Sequence, residues 1–431
     1  MVDQLHLGIA RADIIPPLGI PLVGFAGRGP ASAYRDPLTA TALAAQCGLV
    51  KGVWIGLDLL QLQAATVSQF RRAIQAATGV PPFAIALSCS HTHYGPSIDR
   101  GEEGVIATYR THLEYVLAGL ARQAWDALQP GRLGVGWGET GIGINRREQK
   151  LDGRMVLGQN PDGSVDRQVG VARLEDESGA PLATLVNAAC HPVSQGSRMQ
   201  RLSADFPGAM RQVVEQLTGV PCLFIQGACG DVNPIRMEDA YEPARSLGVR
   251  LGCQAVEVWE TIATEPAAGL AVWHKGIELP RYRYGSAATA TALRDELSAQ
   301  IGRMEEDEGA SAGSLWWARH RRDGVVEALA SWEQDKPLES VGAEVQTWRL
   351  GELGLATAPG EIFADNGLAV KGQSPFADTF FAAYTNGSIG YVPTRSAYPL
   401  GGYEVTHACR VDPGADEMLN SAALEGLQTV H

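Results

Sequence analysis

Two histidines, His91 and His93, lie in the stretch Ser-Cys-Ser-His-Thr-His-Tyr-Gly-Pro at residues 88–96. The apolar run at 83–87 that precedes them is typical of a buried strand. Residues at i and i+2 of an extended chain point to the same side, so the pattern predicts two imidazoles aimed at one point. Imidazole is the commonest protein ligand for metals such as zinc. Taken alone, the pattern fits a metal site and a pair of hydrogen-bonded core histidines about equally well.

Three further positions follow an apolar strand and precede a turn of glycine or proline, namely His191, Glu361 and Tyr391. Sites in open α/β sheets gather at such strand ends. Imidazoles and a carboxylate match the ligands of catalytic zinc, which leaves one position open for water. For His191 alone, a hydrogen-bonded histidine is the favoured alternative, and for Glu361 alone, a carboxylate in the first turn of a helix. The spacing by itself does not connect these distant positions.

The elements that must position these residues alternate between strands and helices, with hairpins at both ends of the chain. This order predicts an α/β fold in which helices flank a mixed β-sheet, as one domain over residues 1–431. Residues 139–166 are predicted as a polar, Gly-rich loop, and 380–391 as one apolar strand with a Gly-Ser interruption. A charged helical insertion is expected at about 286–335. Its Trp316–Trp317 pair covers the site, covers a partner surface or, as the favoured alternative, packs on the body of the domain.

Composition excludes several classes of function. The 431 residues are 45% hydrophobic and 19% charged, as in an ordinary globular protein. The 35 basic and 48 acidic residues give a net charge of −13, which disfavours nucleic acid and anionic membranes as partners. No apolar run approaches the roughly 20 residues of a membrane span, and no secretion signal is visible. The odd count of seven cysteines predicts buried thiols in a reducing compartment.

From these features we expect a cytoplasmic protein with a small-molecule substrate, no nucleic-acid partner and no stable membrane association. The sequence leaves the oligomeric state open, a homo-oligomer included.

The sequence resembles the catalytic, N-terminal domain of the neutral, non-lysosomal ceramidase family. The matching blocks occur in family order and cover roughly residues 5–405 as spaced motifs. They lie at 7–14, 36–42, 91–96, Asn145-Arg146, His191-Pro192 with 202–208, 359–361, 391–394 and Tyr403-Glu404.

This resemblance implies a single Zn²⁺ per chain and a reaction centre around it. The implied metal ligands are His91, His191, Glu361 and Tyr391. Beside them would stand three residues of the reaction centre, namely His93, Arg146 and Tyr403.

Asn233 departs from the family pattern. It stands in Gly-Asp-Val-Asn-Pro at 230–234, where the ceramidases carry a serine taken as the nucleophile. A carboxamide donates and accepts hydrogen bonds but is a poor nucleophile near neutral pH. The chain also ends soon after Tyr403, so we expect it to lack the C-terminal immunoglobulin-like domain of the long ceramidases. These differences make ceramide a doubtful substrate.

We therefore predict a zinc-dependent hydrolase that cleaves an amide, or a related C–N or ester bond other than a peptide bond, in a small soluble molecule. A metal-activated water is the expected nucleophile. Tyr403 and Arg146 would stabilise the oxyanion, His93 would pass a proton to the leaving group, and Asn233 would orient substrate or water.

Two other functions stay open. One is an amidase for N-acyl sphingoid, ceramide-type substrates. The other is a catalytically silent protein that binds a metal or ligand. A further hypothesis concerns Asp58, the acidic residue of an apolar strand, which is predicted to orient a ligand histidine. A buried carboxylate with unrelated backbone partners is a nearly equal alternative for Asp58.

Overall fold

The computed structural model describes residues 4–99, 101, 103–307 and 312–431. Within these ranges the strands are β1 (His6–Asp13), β2 (Ala33–Tyr34), β3 (Thr39–Cys47), β4 (Val50–Leu57), β5 (Ile85–Cys89), β6 (Gln129–Glu139), β7 (Gly143–Gln149), β8 (Met155–Asn160), β9 (Gln168–Asp176), β10 (Pro181–Ala188), β11 (Arg201–Leu202), β12 (Cys222–Gln226), β13 (Val232–Pro234), β14 (Glu265–Pro266), β15 (Leu270–Leu279), β16 (Val341–Leu350), β17 (Leu353–Thr357), β18 (Glu361–Ile362), β19 (Asp378–Ala382) and β20 (Tyr391–Val392). The helices are α1 (Ala64–Thr78), α2 (Gly104–Asp126), α3 (Asp205–Thr218), α4 (Glu242–Thr261), α5 (Ala287–Glu306), α6 (Ala312–Glu333), α7 (Ala364–Gln373), α8 (Tyr403–Thr406) and α9 (Ala415–Val430). The predicted α/β fold with a mixed sheet is confirmed.

The largest sheet has the strand order β12-β10-β9-β6-β1-β3-β4-β5, and β14 pairs with β6 at its side. The pairs β4–β5 and β10–β12 are parallel, whereas the pairs between them are antiparallel. The sheet curls, because β12 at one end of this order also contacts β3, β4 and β5 near the other end. Elements that are far apart in the strand order therefore meet in space.

Alternate residues of the large sheet face two different layers. In β9, Val171 packs with residues of α3 and α4, whereas Leu174 packs with Trp348 and Leu355 of a second sheet. This period of two is what a pleated strand buried on both faces requires. The second sheet has the order β15-β16-β17-β19, and α9 packs against its β15 and β16 strands. The core thus lies between helices and sheet, and between the two sheets.

The structure corrects two predicted elements. Within residues 139–166 the chain forms the antiparallel strands β7 and β8, because the polar residues Asn145, Arg146 and Arg147 are buried and bonded to side-chain partners. Residues 380–391 do not form one strand, because Tyr384 and Asn386 have positive φ values of 53° and 62°. The backbone there leaves β19 and bonds to β5 and β12 instead.

The first turn of α7 does not contain Glu361. Glu361 opens the short strand β18, and the helix begins at Ala364. The alternative of a helix-terminal carboxylate is therefore wrong.

The predicted insertion contains α5 and α6, which pack through Ala290, Leu297, Val325 and Leu329. Positions 308–311 of this prediction lie outside the described residues. In the described ranges every helix is too short or too polar to cross a bilayer. Six of the seven cysteines are buried, as predicted, and Cys253 is exposed.

Candidate metal centre

Four side chains converge from distant parts of the chain. The Nε2 atom of His91 lies 3.2 Å from Nε2 of His191 and 3.3 Å from Nε2 of His93. The carboxylate atom Oε2 of Glu361 lies 3.1 Å from Nε2 of His191 and 3.6 Å from Nε2 of His91. One ring nitrogen from each of the three histidines lies within 4.8 Å of those of the other two. The strand ends that the sequence singles out are therefore brought to one point.

The backbone at His91 differs from the expectation. Strand β5 ends at Cys89, and His91 has a left-handed φ of 65°. The two imidazoles converge through this bend, not through the alternation of an extended strand. The conformation is costly for a non-glycine residue, and such residues occur where the surrounding structure holds them for function. Here the His91 amide donates to the Leu59 carbonyl at 3.0 Å, and the ring stacks on Tyr384 with centroids 3.9 Å apart.

The other ring nitrogens of two histidines are held by backbone carbonyls. Nδ1 of His91 donates to the Leu60 oxygen at 2.8 Å, and Nδ1 of His191 donates to the Cys229 oxygen at 2.7 Å. A carbonyl oxygen only accepts, so the ring proton resides on Nδ1 and each Nε2 presents a lone pair. Metal-binding histidines are oriented in this way. Two lone pairs that face each other at 3.2 Å are repulsive unless a cation lies between or beside them.

Charge at this point also suits a cation. Burial lowers the pKa of His191 to about 4, with a further contribution from Arg146, so its ring is neutral at pH 7. Burial alone would raise the pKa of Glu361, but the close contacts of its carboxylate with the rings of His191 and His91 outweigh burial and hold that pKa well below its usual range. An ionised, largely buried carboxylate beside neutral imidazoles fits a divalent metal.

His93 differs from the other two histidines. Its Nδ1 atom is buried and has no hydrogen-bond partner. Burial lowers its pKa well below the usual range, and the neighbouring rings of His91 and His191 add to this. Its backbone carbonyl accepts from Arg28 at 2.5 Å, and its ring lies 4.9 Å from the ring of Phe25. His93 is thus fixed by its backbone, while its ring lacks the carbonyl contact that orients the other two.

Tyr391 reaches the centre through a strand pair. In the parallel pair β18–β20, Glu361 and Tyr391 are direct neighbours. The Tyr391 hydroxyl accepts from Nη2 of Arg146 at 2.8 Å. Burial raises the pKa of Tyr391 well above its usual range against the opposing effect of Arg146, so without a metal the phenol keeps its proton.

The Arg146 guanidinium connects the centre to the strand of Asn233. Its Nε donates to Glu404 at 2.7 Å, and its Nη1 donates to Oδ1 of Asn233 at 3.2 Å. Glu404 also accepts from Arg147 at 2.7 Å, so one buried carboxylate balances two buried cations. Each of the three guanidinium nitrogens of Arg146 thus donates to a protein group.

Tyr403 lies at the edge of the site. It is 37% exposed, and its ring centroid is 5.8 Å from that of Tyr391. Burial and the charge of Glu361 raise its pKa to about 12, so its hydroxyl can donate a hydrogen bond at neutral pH.

The hypothesis for Asp58 is wrong. Its carboxylate accepts from the amide and hydroxyl of Thr39, at 2.8 and 3.0 Å, and forms an ion pair with Arg211. The Leu60 carbonyl orients His91 instead. Asp58 anchors the same loop, because it follows β4 directly and lies two residues before Leu60.

A cleft of about 720 Å³ contains the centre. Among its lining residues are His91, His93, Glu361, Tyr391 and Tyr403. The Trp316–Trp317 pair of α6 lines it as well, so the insertion forms part of the cleft wall.

Two solved structures share this architecture. Neutral ceramidase from Pseudomonas aeruginosa superimposes with a TM-score of 0.73 at 20% identity, covering 99% of this chain and 74% of that one. The chain has the neutral ceramidase fold. A ceramidase complexed with C2 gives a TM-score of 0.72 at 18% identity, with 99% and 75% coverage. No protein-family model matches the sequence. A search of curated proteins likewise gives no match.

The resemblance inferred from the motif blocks is thus confirmed as a likeness to the ceramidase fold. Sequence reasoning assigned no role to Tyr384, which stacks on His91, to Glu404, which holds Arg146, or to Arg28, which holds the His93 backbone. Only Glu404 had a signal, as the neighbour of Tyr403 in the last motif block. The other two are recognisable only from contacts between distant segments.

Proposed function

We propose that this chain is a zinc-dependent hydrolase that cleaves an amide bond of a small molecule. One observation carries the proposal. The Nε2 atoms of His91 and His191 are fixed by carbonyl contacts on their Nδ1 atoms, and both face the ionised Glu361 inside a cleft. Together with Tyr391, these residues would hold the metal. Zinc there would polarise the amide carbonyl and activate a water for attack.

His93 would move the proton of the reaction. Its ring is neutral at pH 7, and its Nε2 lies 3.3 Å from Nε2 of His91, beside the ligands. A neutral imidazole at this place can accept a proton and return it to the leaving nitrogen. Because no carbonyl accepts from Nδ1 of His93, the ring proton can reside on either nitrogen. This property suits a residue that transfers protons better than a metal ligand.

Tyr403 would bind the developing oxyanion. Its phenol keeps its proton at neutral pH and lines the cleft, so it can donate to an oxygen that gains charge. Arg146 would act differently from the expectation, as a positioning residue, because its donors are taken by Glu404, Asn233 and Tyr391. Asn233 would hold Arg146 through Oδ1.

The experiment is a comparison of His191→Ala with His274→Ala, an exposed histidine on β15. We expect the wild type and His274→Ala to bind about one zinc and to hydrolyse members of an N-acyl amide panel. His191→Ala should lose bound zinc and turnover together, with turnover falling at least about 1,000-fold. Metal content is measured by mass spectrometry after dialysis. Full metal and full activity in His191→Ala would overturn the ligand assignment.

An amidase for ceramide-type substrates is the second candidate, because the solved structures of the same fold are named as ceramidases. Hydrolysis of a long-chain N-acyl sphingoid substrate, at a rate comparable to that of short amides, would favour it. Stoichiometric zinc without hydrolysis of any amide, ester or lactone would favour a silent binding protein.

A further inference from the structure

The cleft is cationic in a chain that is acidic as a whole. The net charge of the chain is −13. Among the described residues that line the cleft, however, Glu361 is the one acidic side chain. Four arginines line the same cleft, namely Arg28, Arg281, Arg321 and Arg410. A cleft lined by one sign of charge concentrates ligands of the opposite sign.

Two of these arginines already have partners. Arg281 pairs with Glu327 at 2.5 Å. Arg28 donates to three backbone carbonyls, at 2.5, 2.7 and 3.2 Å. Within the described part of the chain, no carboxylate forms an ion pair with Arg321 or Arg410. These two cations are therefore available to a ligand.

Arg321 on α6 is held in one orientation. Its Nη1 donates to Nε2 of His407 at 3.1 Å, and Nδ1 of His407 donates to the Thr406 hydroxyl at 2.9 Å. The Thr406 hydroxyl donates in turn to the Gly402 carbonyl at 2.8 Å. Burial, followed by the charge of Arg321, lowers the pKa of His407 to about 4, so its ring stays a neutral acceptor.

The opposite edge of Arg321 lacks an acceptor. Its Nε is buried without a partner, and no described group accepts from Nη2. The Nε and Nη2 hydrogens point in parallel, which is the geometry that binds both oxygens of a carboxylate. Burial also lowers the pKa of Arg321, and the charges of Tyr284 and Glu296 oppose this only in part.

This edge is connected to the reaction centre by a row of rings. The His407 ring stacks on Tyr403 with centroids 5.5 Å apart, and Tyr403 lies 5.8 Å from Tyr391. Trp316 and Trp317 of the same helix add aromatic surface to the cleft wall. A molecule that reaches from Arg321 to Glu361 would therefore lie along these rings.

We propose that Arg321, which lines the same cleft as Arg410, binds a carboxylate of the substrate, so that the substrate class is an amide whose carboxylate lies several bonds away from the amide carbonyl. This rests on the proposed hydrolase function. The carboxylate fixes one end of the molecule and so presents its amide carbonyl to the histidine–glutamate centre. A phosphate could use the same donors, and the experiment distinguishes the two anions.

The test compares three amides that differ in one terminal group, N-acetyl-6-aminohexanoate, the corresponding alcohol and the corresponding phosphonate. We expect kcat/KM of the zinc-loaded wild type to be roughly 10- to 100-fold higher for the carboxylate than for the alcohol, as for a charge-assisted hydrogen bond. Arg321→Gln should bring this ratio close to one, and Arg321→Lys should retain part of it. Arg281→Gln, which changes an arginine with its own partner, should keep the ratio.

Binding of the same compounds is measured by calorimetry, independently of turnover. One outcome is that no amide is hydrolysed, while the carboxylate binds more tightly than the alcohol to the wild type but not to Arg321→Gln. The anion site then stands and the hydrolase proposal fails. If both amides are hydrolysed equally and Arg321→Gln leaves the ratio unchanged, the anion site is overturned and the hydrolase stands. A preference for the phosphonate would overturn the carboxylate assignment.

Discussion

Gly24 offers a sharp test of the role of His93. A Cβ atom at position 24 would lie 2.6 Å from Nδ1 and 2.7 Å from Cγ of His93. Gly24 also has a φ of +107°, which a side chain strains. Gly24→Ala therefore disturbs both the backbone and the ring. Gly19→Ala is the matched control, because Gly19 has a φ of +86° but nothing within 4 Å of its Cβ position.

The geometry sets the expected size of the effect. Ordinary contact begins near 3.4 Å, so Nδ1 of His93 must move away by about 0.8 Å. A misplacement of roughly 1 Å in a reacting group can lower a rate about 100-fold. The strained φ should lower the free energy of unfolding by about 1–3 kcal/mol in both variants. We expect zinc to stay bound in Gly24→Ala, because the carbonyls of Leu60 and Cys229 hold the other two histidines independently.

The assay measures kcat/KM on an N-acyl amide, bound zinc by mass spectrometry and urea unfolding for both variants. Rates of Gly24→Ala and Gly19→Ala that agree within about threefold would refute the role of His93, since its displacement would then have no consequence. Loss of zinc in Gly24→Ala alone would show instead that His93 is a ligand.

Three further predictions follow from other contacts. Gly230→Ala should weaken zinc binding, because the new Cβ atom would lie 2.5 Å from the Glu361 carbonyl oxygen and displace that residue. Zinc affinity is measured by competition with a chelator. An unchanged affinity would contradict the role of Glu361 as a metal ligand. Arg146→Lys should lower kcat about 100-fold with little change in KM, since lysine cannot contact Glu404, Asn233 and Tyr391 together. An effect on KM alone would argue against a role of Arg146 in positioning Tyr391. Burial raises the pKa of Asp205 to about 7 in the folded protein, whereas the unfolded chain has the ordinary value near 4. Between about pH 4 and 7 the folded state therefore holds a proton that the unfolded state releases. The free energy of unfolding should fall as pH rises through that range. Asp205→Asn should remove this decline in urea titrations at several pH values, and an unchanged pH profile would show that the pKa is not raised.

The amino-acid sequence by itself was sufficient for the local elements and for the residues that the structure gathers. The helical spacing of residues 64–78 corresponds to α1, and the two apolar runs on either side of Gly48 correspond to β3 and β4. These elements follow from hydrophobic periodicity and from turn residues, which are local properties. The positions His91, His191 and Glu361 were also visible, because each follows an apolar run.

Elements whose conformation depends on distant partners were not visible. Strand β7 contains Asn145 and Arg146, and polar residues of this kind are typical of a loop. Their buried partners Asp231 and Glu404 lie on distant segments, so the sequence pattern does not show that this stretch is a strand. Tyr384 and Asn386 interrupt an apolar run that resembles one strand, because both form backbone hydrogen bonds with β5.

The tertiary structure decided why the predicted residues form one site. His91 follows β5 and His191 follows β10, and these strands stand near opposite ends of the strand order. They meet because the sheet curls until β12 contacts β5. Curvature is a sum of twist over many strands and of packing on both faces, so no local pattern contains it. The Leu60 and Cys229 carbonyls that orient the two histidines follow β4 and β12, so they are brought to the site by the same closure.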